Sequence, residues 1–311
     1  MSTENIGELL AEVTRSGVVE SVHTGHLVML NSDGTIYKTR GNPELLIYPR
    51  STIKSIQAAA MVKSGLDLEP RLLALVCSSH SGSEEHISAV REILAKADLD
   101  ESALQCSFGV PLGEKERRAW GDKPETRIAM NCSGKHAGML LTCVTNQWPT
   151  ENYLDQNHPL QIAARNELEL LAGEKVTLIS TDGCGAPLFL ISMMGLARSI
   201  RAITISTDPV HQRVIDACRT YPIMVAGIGR VPTTLMQQVP GLFMKDGAEA
   251  VEVISLADGR TIVFKISDGN SRPLPALIHS ALGEFGITYP FEPIKVMGGS
   301  DVIGSVRARI N

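Results

Sequence analysis

The chain has 311 residues, and its 29 basic and 34 acidic side chains give a formal net charge of −5. Hydrophobic residues make up 43% of the sequence, which provides enough apolar material for a large core and excludes wholesale disorder. A slightly acidic chain without a basic run gives no electrostatic basis for binding nucleic acid. These properties favour one folded domain over residues 1–311.

Three features predict a cytoplasmic protein that does not cross a membrane. The most apolar stretch, residues 186–197, has about half of the roughly 20 residues that a membrane-spanning helix needs. The first residues lack the basic and apolar regions of a secretory signal. The six cysteines are expected to be reduced thiols in a long chain of this kind.

The first third of the chain predicts strands followed by helices. Residues 17–48 alternate short apolar runs with turn signals, and Asp33-Gly34 marks an antiparallel hairpin. From Thr52 the apolar spacing becomes that of an amphipathic helix, which is expected to end near Lys63. Residues 71–80 form a buried run that could be a strand or a core helix. Residues 83–94 predict a helix with acidic side chains at its positive end.

The remainder predicts a helical middle and a second strand region near the end. Helices are expected over residues 136–145, 160–172, 186–199, 209–220 and 274–285. Strands are expected over residues 176–179 and near Val296, and Asp258-Gly259 marks a second hairpin. The sequence therefore predicts a mixed α/β (α+β) fold, in which strands from both chain ends form an antiparallel sheet packed against the helical middle.

The segment Arg50-Ser51-Thr52-Ile53-Lys54 is the first candidate for chemistry. Ser51 would lie at the start of a helix, with Lys54 one turn later on the same face. A neutral lysine amine in that position can take the proton of a serine nucleophile. The alternative is an ordinary helix start, with Ser51 as N-cap and Lys54 in solvent. The position after an apolar strand favours catalysis, because a nucleophile is exposed at such a turn.

The segment Ser78-Ser79-His80-Ser81-Gly82 could bring a second polar group to the first helix. Its small hydroxyl side chains follow the buried run directly. The alternative is a serine-rich turn in which Ser81 or Ser83 caps the next helix.

Two further turns each place a cysteine beside glycine at an expected helix start. Cys132 lies in Asn-Cys-Ser-Gly-Lys-His and Cys184 in Asp-Gly-Cys-Gly. This setting lowers the pKa of a thiol and favours metal binding. Lys135 is an unusual ligand because it must lose its proton, so the residues alone favour tight turns over a metal site. His136 is either a candidate substrate contact or a buried, hydrogen-bonded histidine.

The segments R-S-T-I-K, S-H-S-G, N-C-S-G-K-H-A-G-M and S-T-D-G-C-G-A-P, in this order, resemble the Rhizobium-type L-asparaginases. The similarity runs from about Gly17 to the final strand. The T-G-G-T nucleophile motif of the bacterial type I and type II enzymes is absent, and no autoprocessing Gly-Thr of the plant type stands out. The resemblance implies a serine β-lactamase-like fold, hydrolysis of L-asparagine to L-aspartate and ammonia, and a homodimer.

The resemblance also implies two serine–lysine pairs. Ser51 would be the nucleophile and Lys54 its base, while Ser81 would pair with a distant lysine. Lys245, in Lys-Asp-Gly-Ala, fits that lysine better than Lys265 does. The Ser81–Lys245 pair would protonate the departing ammonia, and water would then hydrolyse the β-aspartyl ester.

A zinc site of two cysteines and one lysine is implied as well, and it maps onto Cys132, Lys135 and Cys184. Asp182 would then contact the substrate α-ammonium. Arg50 would bind the substrate carboxylate or orient the serine loop.

Three other functions remain open from the sequence. A serine glutaminase would share the Ser-x-x-Lys pair. A penicillin-recognising acyl-serine enzyme is disfavoured by the absence of an export signal. A non-catalytic zinc or thiol module would bind metal without releasing ammonia.

Overall fold

The computed structural model describes residues 6–310, which form eleven strands and eleven α-helices. The strands are β1 (Glu8–Arg15), β2 (Val18–Leu30), β3 (Ile36–Arg40), β4 (Leu46–Ile47), β5 (Leu178–Thr181), β6 (Pro187–Ser192), β7 (Phe243–Gly247), β8 (Val251–Ser255), β9 (Thr261–Ile266), β10 (Lys295–Gly298) and β11 (Asp301–Ala308). The helices are α1 (Lys54–Lys63), α2 (Pro70–Val76), α3 (Glu84–Ala95), α4 (Glu114–Trp120), α5 (Ser133–Thr145), α6 (Pro159–Ala172), α7 (Met193–Ile205), α8 (Pro209–Thr220), α9 (Pro222–Val225), α10 (Val231–Gln238) and α11 (Leu274–Glu284).

The main sheet is antiparallel and is built from both chain ends. Seven strands run in the order β10-β11-β1-β2-β9-β8-β7, and β3 pairs with β2. In this sheet β1 joins the two ends, because Ala11 pairs with Ala308 of β11 on one side and with His23 of β2 on the other. The predicted mixed α/β class, with an antiparallel sheet and a helical middle, is confirmed.

A second, three-stranded sheet corrects the helix predicted over residues 186–199. Residues 187–192 form β6 between β4 and β5, and α7 begins only at Met193. Ser192 ends the strand and caps the helix, since its hydroxyl accepts a hydrogen bond from Gly195 N at 2.8 Å. A short, apolar run that is buried on both faces does not distinguish a strand from a helix by periodicity.

Several other elements agree with the sequence, and some were not predicted. The ambiguous run after Pro70 is helix α2, which has this proline at its first turn. Helix α3 begins after Ser83, as expected, with a capping hydrogen bond from His86 N at 3.3 Å. Strands β1, β7 and β11 and helices α4 and α10 lie outside the elements named from the sequence.

The buried core lies between the main sheet and the helices. Leu27 and Val263 on neighbouring strands and Leu72 and Leu140 on helices are all fully buried. All six cysteines are buried and unpaired by disulfides. No helix in residues 6–310 is long and apolar enough to cross a membrane.

Candidate active site

One cavity of about 450 Å³ is lined by five of the ten site residues predicted from the sequence, Arg50, Ser51, Cys132, Asp182 and Cys184. Its size lies within the range of small-molecule sites, about 300–1,000 Å³. Further polar residues reach its wall from other parts of the chain: Ser79, Asn131, Arg230, Asp246, Glu252 and Ser271. Such convergence of polar side chains in a concave site marks a candidate active site.

Ser51 lies in a 3-10 helix, Arg50–Ile53, that leads into α1. Arg50 has a φ of 53°, a left-handed conformation that is uncommon for a residue with a side chain. Ser51 is half-buried and lines the cavity, whereas Lys54 is 1% exposed. No hydrogen bond joins the Ser51 hydroxyl to the Lys54 amine among the residues that the structure describes.

Lys54 directs its amine at the loop after α2. Its Nζ donates to the carbonyl of Ser78 at 2.5 Å and lies 3.2 Å from Ser79 Oγ and 3.0 Å from Cys132 Sγ. A lysine ammonium has three N–H donors, so these three contacts use all of them. Lys54 therefore connects the serine loop with the cysteine at the start of α5.

Ser79 lies between two lysine amines. Its hydroxyl is 3.2 Å from Lys54 Nζ and 3.0 Å from Lys245 Nζ, and the residue is 5% exposed. Lys245 is fully buried on β7, and this burial lowers its pKa although the charge of Asp246 opposes the shift. A hydroxyl held by two buried amines, one with a lowered pKa, is suited to move a proton.

Asp246 and Arg230 hold this arrangement in place. The Asp246 carboxylate pairs with Lys245 on one oxygen and with Arg230 on the other. Burial favours the neutral acid, but the two cations outweigh it and lower the pKa of Asp246 to about 2. Arg230 also donates to the carbonyl of Ser79 at 3.3 Å. The carboxylate and the guanidinium thus fix both partners of the Ser79–Lys245 contact.

Ser81, the serine expected in this role, lies outside the cavity. It is 2% exposed, its hydroxyl has no hydrogen-bond partner within residues 6–310, and its backbone N–H donates to Ala226 O at 2.7 Å. A Cβ on Gly227 would lie 2.4 Å from Ser81 Oγ, so the side chain packs against that glycine. Lys265, the alternative lysine, donates to the carbonyl of Glu249 at 2.6 Å and contacts neither Ser51 nor Ser79.

Cys132, Lys135 and Cys184 converge at the other side of Lys54. Lys135 Nζ lies 3.2 Å from Cys184 Sγ, and all three residues are at most 3% exposed. Cys132 immediately precedes α5, and the turn between β5 and β6 carries Cys184. Two sulfurs and an amine in one buried place form a donor set that zinc accepts when the thiols and the amine are deprotonated.

The charges of this cluster favour one thiolate. A hydrogen bond from Cys132 and the charge of Lys135 hold the pKa of Cys184 well below its ordinary value, although burial opposes the shift. Burial alone would lower the pKa of Lys135, but the negative charge near Cys184 and Cys132 raises it. No group of three or more His, Cys, Asp or Glu residues that could hold a metal occurs in residues 6–310. A metal here would therefore need the lysine as a ligand.

Asp182 and His136 have different surroundings. The Asp182 carboxylate lines the cavity and accepts hydrogen bonds from Arg50 Nε at 2.8 Å and Gly183 N at 2.9 Å. His136 is fully buried, its Nδ1 lies 2.8 Å from the Tyr153 hydroxyl, and it does not line the cavity. Arg50 thus forms an ion pair with Asp182.

Four functional candidates were missed from the sequence: Ser79, Arg230, Asp246 and Glu252. Ser79 belongs to a segment with three serines, and no spacing rule distinguishes them. Asp246 directly follows Lys245, so adjacency was a usable signal. Nothing in the local sequence of Arg230 or Glu252 indicates a site, since both reach the cavity only through the tertiary fold.

The sequence matches a family model described as L-asparaginase II over residues 11–305. A search of the curated proteins found no match. Among solved structures, the fold is similar to a β-lactamase from Mycobacterium bovis, with 15% identity, a TM-score of 0.47 and coverage of 85% of this chain and 95% of that one. It is also similar to a structure described as Mglu in its native form, with 14% identity, a TM-score of 0.46 and coverage of 89% of this chain and 66% of that one. Both likenesses are too weak to carry an argument about function.

Proposed function

Because the chain belongs to the L-asparaginase II family, we propose that it hydrolyses L-asparagine to L-aspartate and ammonia through an acyl-serine intermediate. Ser51 and Ser79 line the same cavity, and the Ser79 hydroxyl lies between the amines of Lys54 and Lys245. This arrangement is the observation that supports the mechanism. Serine hydroxyls next to amines supply both a nucleophile and a route for its proton.

Ser51 is the nucleophile in this proposal, because it lines the cavity, is more exposed than Ser79 and lies one helical turn before Lys54. Its hydroxyl attacks the side-chain amide carbon of asparagine, and Lys54 accepts the proton. Lys54 can accept this proton only when its amine is neutral. The amine must also give up one of its three hydrogen-bond partners and turn toward Ser51. The short connection from the 3-10 helix into α1 keeps the two side chains one turn apart.

Ser79 relays the proton to the departing nitrogen. Its contacts to Lys54 and Lys245 provide a path from the amine that receives the Ser51 proton to the leaving group. Ammonia departs, and water hydrolyses the β-aspartyl ester through the same groups in reverse. Ser79 thus takes the proton-transfer role that was expected for Ser81.

Asp182 is the proposed contact for the substrate α-ammonium. Arg50 and Gly183 hold one carboxylate oxygen, Oδ1, which fixes the orientation of the carboxylate, and the other oxygen, Oδ2, lies 3.8 Å from Cys184 Sγ. Oδ2 is the proposed acceptor for the ammonium. Arg50 is a positioning residue in this account.

Cys132, Lys135 and Cys184 are the proposed zinc ligands. Their burial and their shared contacts fit the ion, and the thiolate character of Cys184 supports it. A zinc ion bound there would supply positive charge that orients the substrate near the serines. Lys135 must lose its proton to bind, so occupancy is expected to fall as the pH falls.

An amide-hydrolysis assay tests the proposed function most directly. The purified chain is expected to release ammonia from L-asparagine with a larger kcat/KM than from L-glutamine or simple aliphatic amides. A larger kcat/KM for glutamine would identify a glutaminase instead. Zinc uptake without ammonia release from any of these amides would identify a binding module.

A homodimer in the cytoplasm is also proposed. Exposed apolar side chains lie together at the end of the main sheet where the β1–β2 and β10–β11 turns meet: Val18, Val19, Met297 and Val302. Such a patch supports self-association. Sedimentation equilibrium would report the mass of two chains, and Val18→Lys would shift the protein toward one.

A further inference from the structure

The cavity extends past the two serines into a mainly apolar part. We call this part the apolar compartment, and its walls come from α10, β7 and α11. They are Val231, Pro232, Met244, Leu274, Pro275 and Ile278. The cavity as a whole has a volume of about 450 Å³. Asparagine, a small amino acid, leaves part of that space unfilled.

The apolar compartment belongs to the same cavity that Ser79 and the two cysteines line. Contacts run in order from Cys132 to Lys54 at 3.0 Å, to Ser79 at 3.2 Å and to Lys245 at 3.0 Å. Met244 lines the compartment and shares a face of β7 with Asp246, because residues two apart on a strand point the same way. A substrate with its α-ammonium at Asp182 and its amide at Ser79 therefore has these apolar side chains in the same cavity for a substituent on its amide nitrogen.

Glu252 is the carboxyl group of the cavity that lacks a charged partner. Asp182 is paired with Arg50, and Asp246 is paired with Lys245 and Arg230. Glu252 is 7% exposed, and its Oε2 is buried without a hydrogen-bond partner among the described residues. It pairs with Asp246 across β7 and β8, so both side chains lie on one face of the sheet. A buried carboxyl without a partner is costly unless something occupies the site.

The electrostatic surroundings favour an uncharged occupant. Burial and the nearby Asp246 carboxylate raise the pKa of Glu252 well above its ordinary value, which favours the protonated carboxyl group. The charges of Lys245 and Arg230, which oppose that shift, would repel a cationic ligand. A protonated Glu252 adds no negative charge that would offset this repulsion.

We propose that the apolar compartment is a leaving-group subsite, which accepts an uncharged, apolar substituent on the amide nitrogen of an aspartyl amide, with Glu252 as its specificity-determining residue. The proposal rests on the proposed asparagine hydrolysis and extends it from primary to secondary amides. Apolar walls bind such a substituent through the burial of its surface.

The reaction is that of asparagine with an amine in place of ammonia. A bond forms between Ser51 Oγ and the side-chain acyl carbon, and the C–N bond of the amide breaks. The Ser51 proton passes through Lys54 and Ser79 to the departing nitrogen, which leaves as a neutral primary amine. Water then cleaves the ester and restores the Ser51 hydroxyl, so no further reactant is needed.

Three substrates test the proposal on the unmodified protein. They are L-asparagine, L-asparagine with a benzyl group on its side-chain nitrogen, and the same compound with an aminomethyl group on the ring. L-aspartate release is measured for each. The benzyl compound is expected to reach at least about one tenth of the kcat/KM of asparagine, and the cationic compound to be at least about tenfold poorer than the benzyl compound.

Variants then locate the subsite. Val231→Trp partly fills the compartment from a half-exposed position, so it should lower the ratio of kcat/KM for the benzyl compound to that for asparagine by at least about tenfold. Leu170→Trp, on the exposed face of α6, is the matched control and should leave this ratio unchanged. Glu252→Gln should keep the preference for the benzyl over the cationic compound, because the amide is uncharged, and a loss of this preference would exclude a protonated Glu252 as its source.

The outcomes separate this inference from the proposed function. Hydrolysis of asparagine with no detectable cleavage of the benzyl compound overturns the subsite and leaves the asparaginase intact. Cleavage of the benzyl compound alone supports the subsite and overturns asparagine as the preferred substrate. Failure of both substrates overturns both. An unchanged ratio in Val231→Trp also overturns the subsite.

Discussion

Ser79 and Ser81 lie two residues apart in one loop and have opposite environments. The Ser79 hydroxyl contacts two lysine amines, whereas the Ser81 hydroxyl is buried and unpartnered. Ser79→Ala is therefore expected to lower kcat by about 100-fold or more, because it removes the proton relay. The kcat for L-aspartate formation from L-asparagine measures this effect.

Ser81→Ala is the matched control, because it deletes the same atom outside the cavity. It should leave kcat within about twofold and leave stability unchanged or slightly higher, since it removes an unsatisfied buried hydroxyl. A large loss of kcat in Ser81→Ala, with Ser79→Ala near wild type, would restore the assignment made from the sequence.

Zinc binding should depend on the individual side chains of the proposed site. Protein purified without chelators should contain about one zinc per chain, and Cys184→Ala should lose it. Cys143→Ala is the control, since Cys143 is buried on α5 away from the site and should keep the metal. Elemental analysis measures the zinc content of each protein. Wild-type protein without zinc would contradict the metal site, and Cys132 and Cys184 would then be turn residues only.

Among single residues, the sequence predicted site residues that share a short local motif, but it did not predict contacts between residues far apart in the chain. Ser51, Lys54, Cys132, Asp182 and Cys184 lie in short, unusual segments, and the structure brings them to one cavity or its wall. The contacts of Ser79 with Lys245 and of Asp246 with Arg230 span up to 166 residues and leave no pattern in the chain.

Helix α1, which begins at Lys54, is anchored at its other end by a buried acid. Glu167 on α6 contacts Lys63 Nζ at 2.8 Å and His211 Nε2 of α8 at 2.5 Å. Glu167→Ala leaves the buried His211 without its carboxylate partner, whereas Lys63 keeps its contact with Asp208 at 3.2 Å. It should lower the free energy of unfolding by about 3 kcal/mol, as measured in urea.

Glu114→Ala is the control for this element-scale prediction. Glu114 pairs with Arg118 on α4, where both side chains are 79% exposed. Its loss should change the free energy of unfolding by less than about 0.5 kcal/mol. Equal effects of the two variants would mean that Glu167 does not join the three helices.

Long, regularly patterned elements were predictable, whereas short and fully buried ones were not. Helices α1, α5, α6, α8 and α11 follow their apolar spacing to within a few residues. Strand β6 was interpreted as helix because residues 187–191 are buried on both faces. Strand β1 was missed because its burial does not alternate.

The family match confirms the asparaginase class predicted for the whole chain.

The stability of the protein should depend on pH through a buried histidine. Burial, with the charges of His86 and Lys54, lowers the pKa of His80 well below 6.5, so the folded state keeps it neutral while the unfolded state binds a proton. Stability is thus unaffected above pH 6.5 and decreases below it, by at most about 1.4 kcal/mol per pH unit for this histidine.

Urea unfolding at pH about 7.5 and about 5.5 measures this dependence. His80→Gln should reduce the loss of stability between the two pH values, because glutamine does not titrate. Ser133→Ala removes the hydroxyl that lies 2.8 Å from His80 Nε2 but keeps the imidazole, so the loss should persist. The same loss in His80→Gln as in wild type would exclude His80 as its source.

The turnover of L-asparagine by Ser51→Ala tests the central claim most directly. Wild-type protein and the variant are compared by the rate of L-aspartate formation, and a thermal melt confirms that both are folded. If Ser51 carries the acyl group, kcat should fall by at least about 1,000-fold, because alanine has no hydroxyl with which to form the ester at this position. A folded Ser51→Ala protein that retains more than about one tenth of the wild-type kcat would contradict the acyl-serine account.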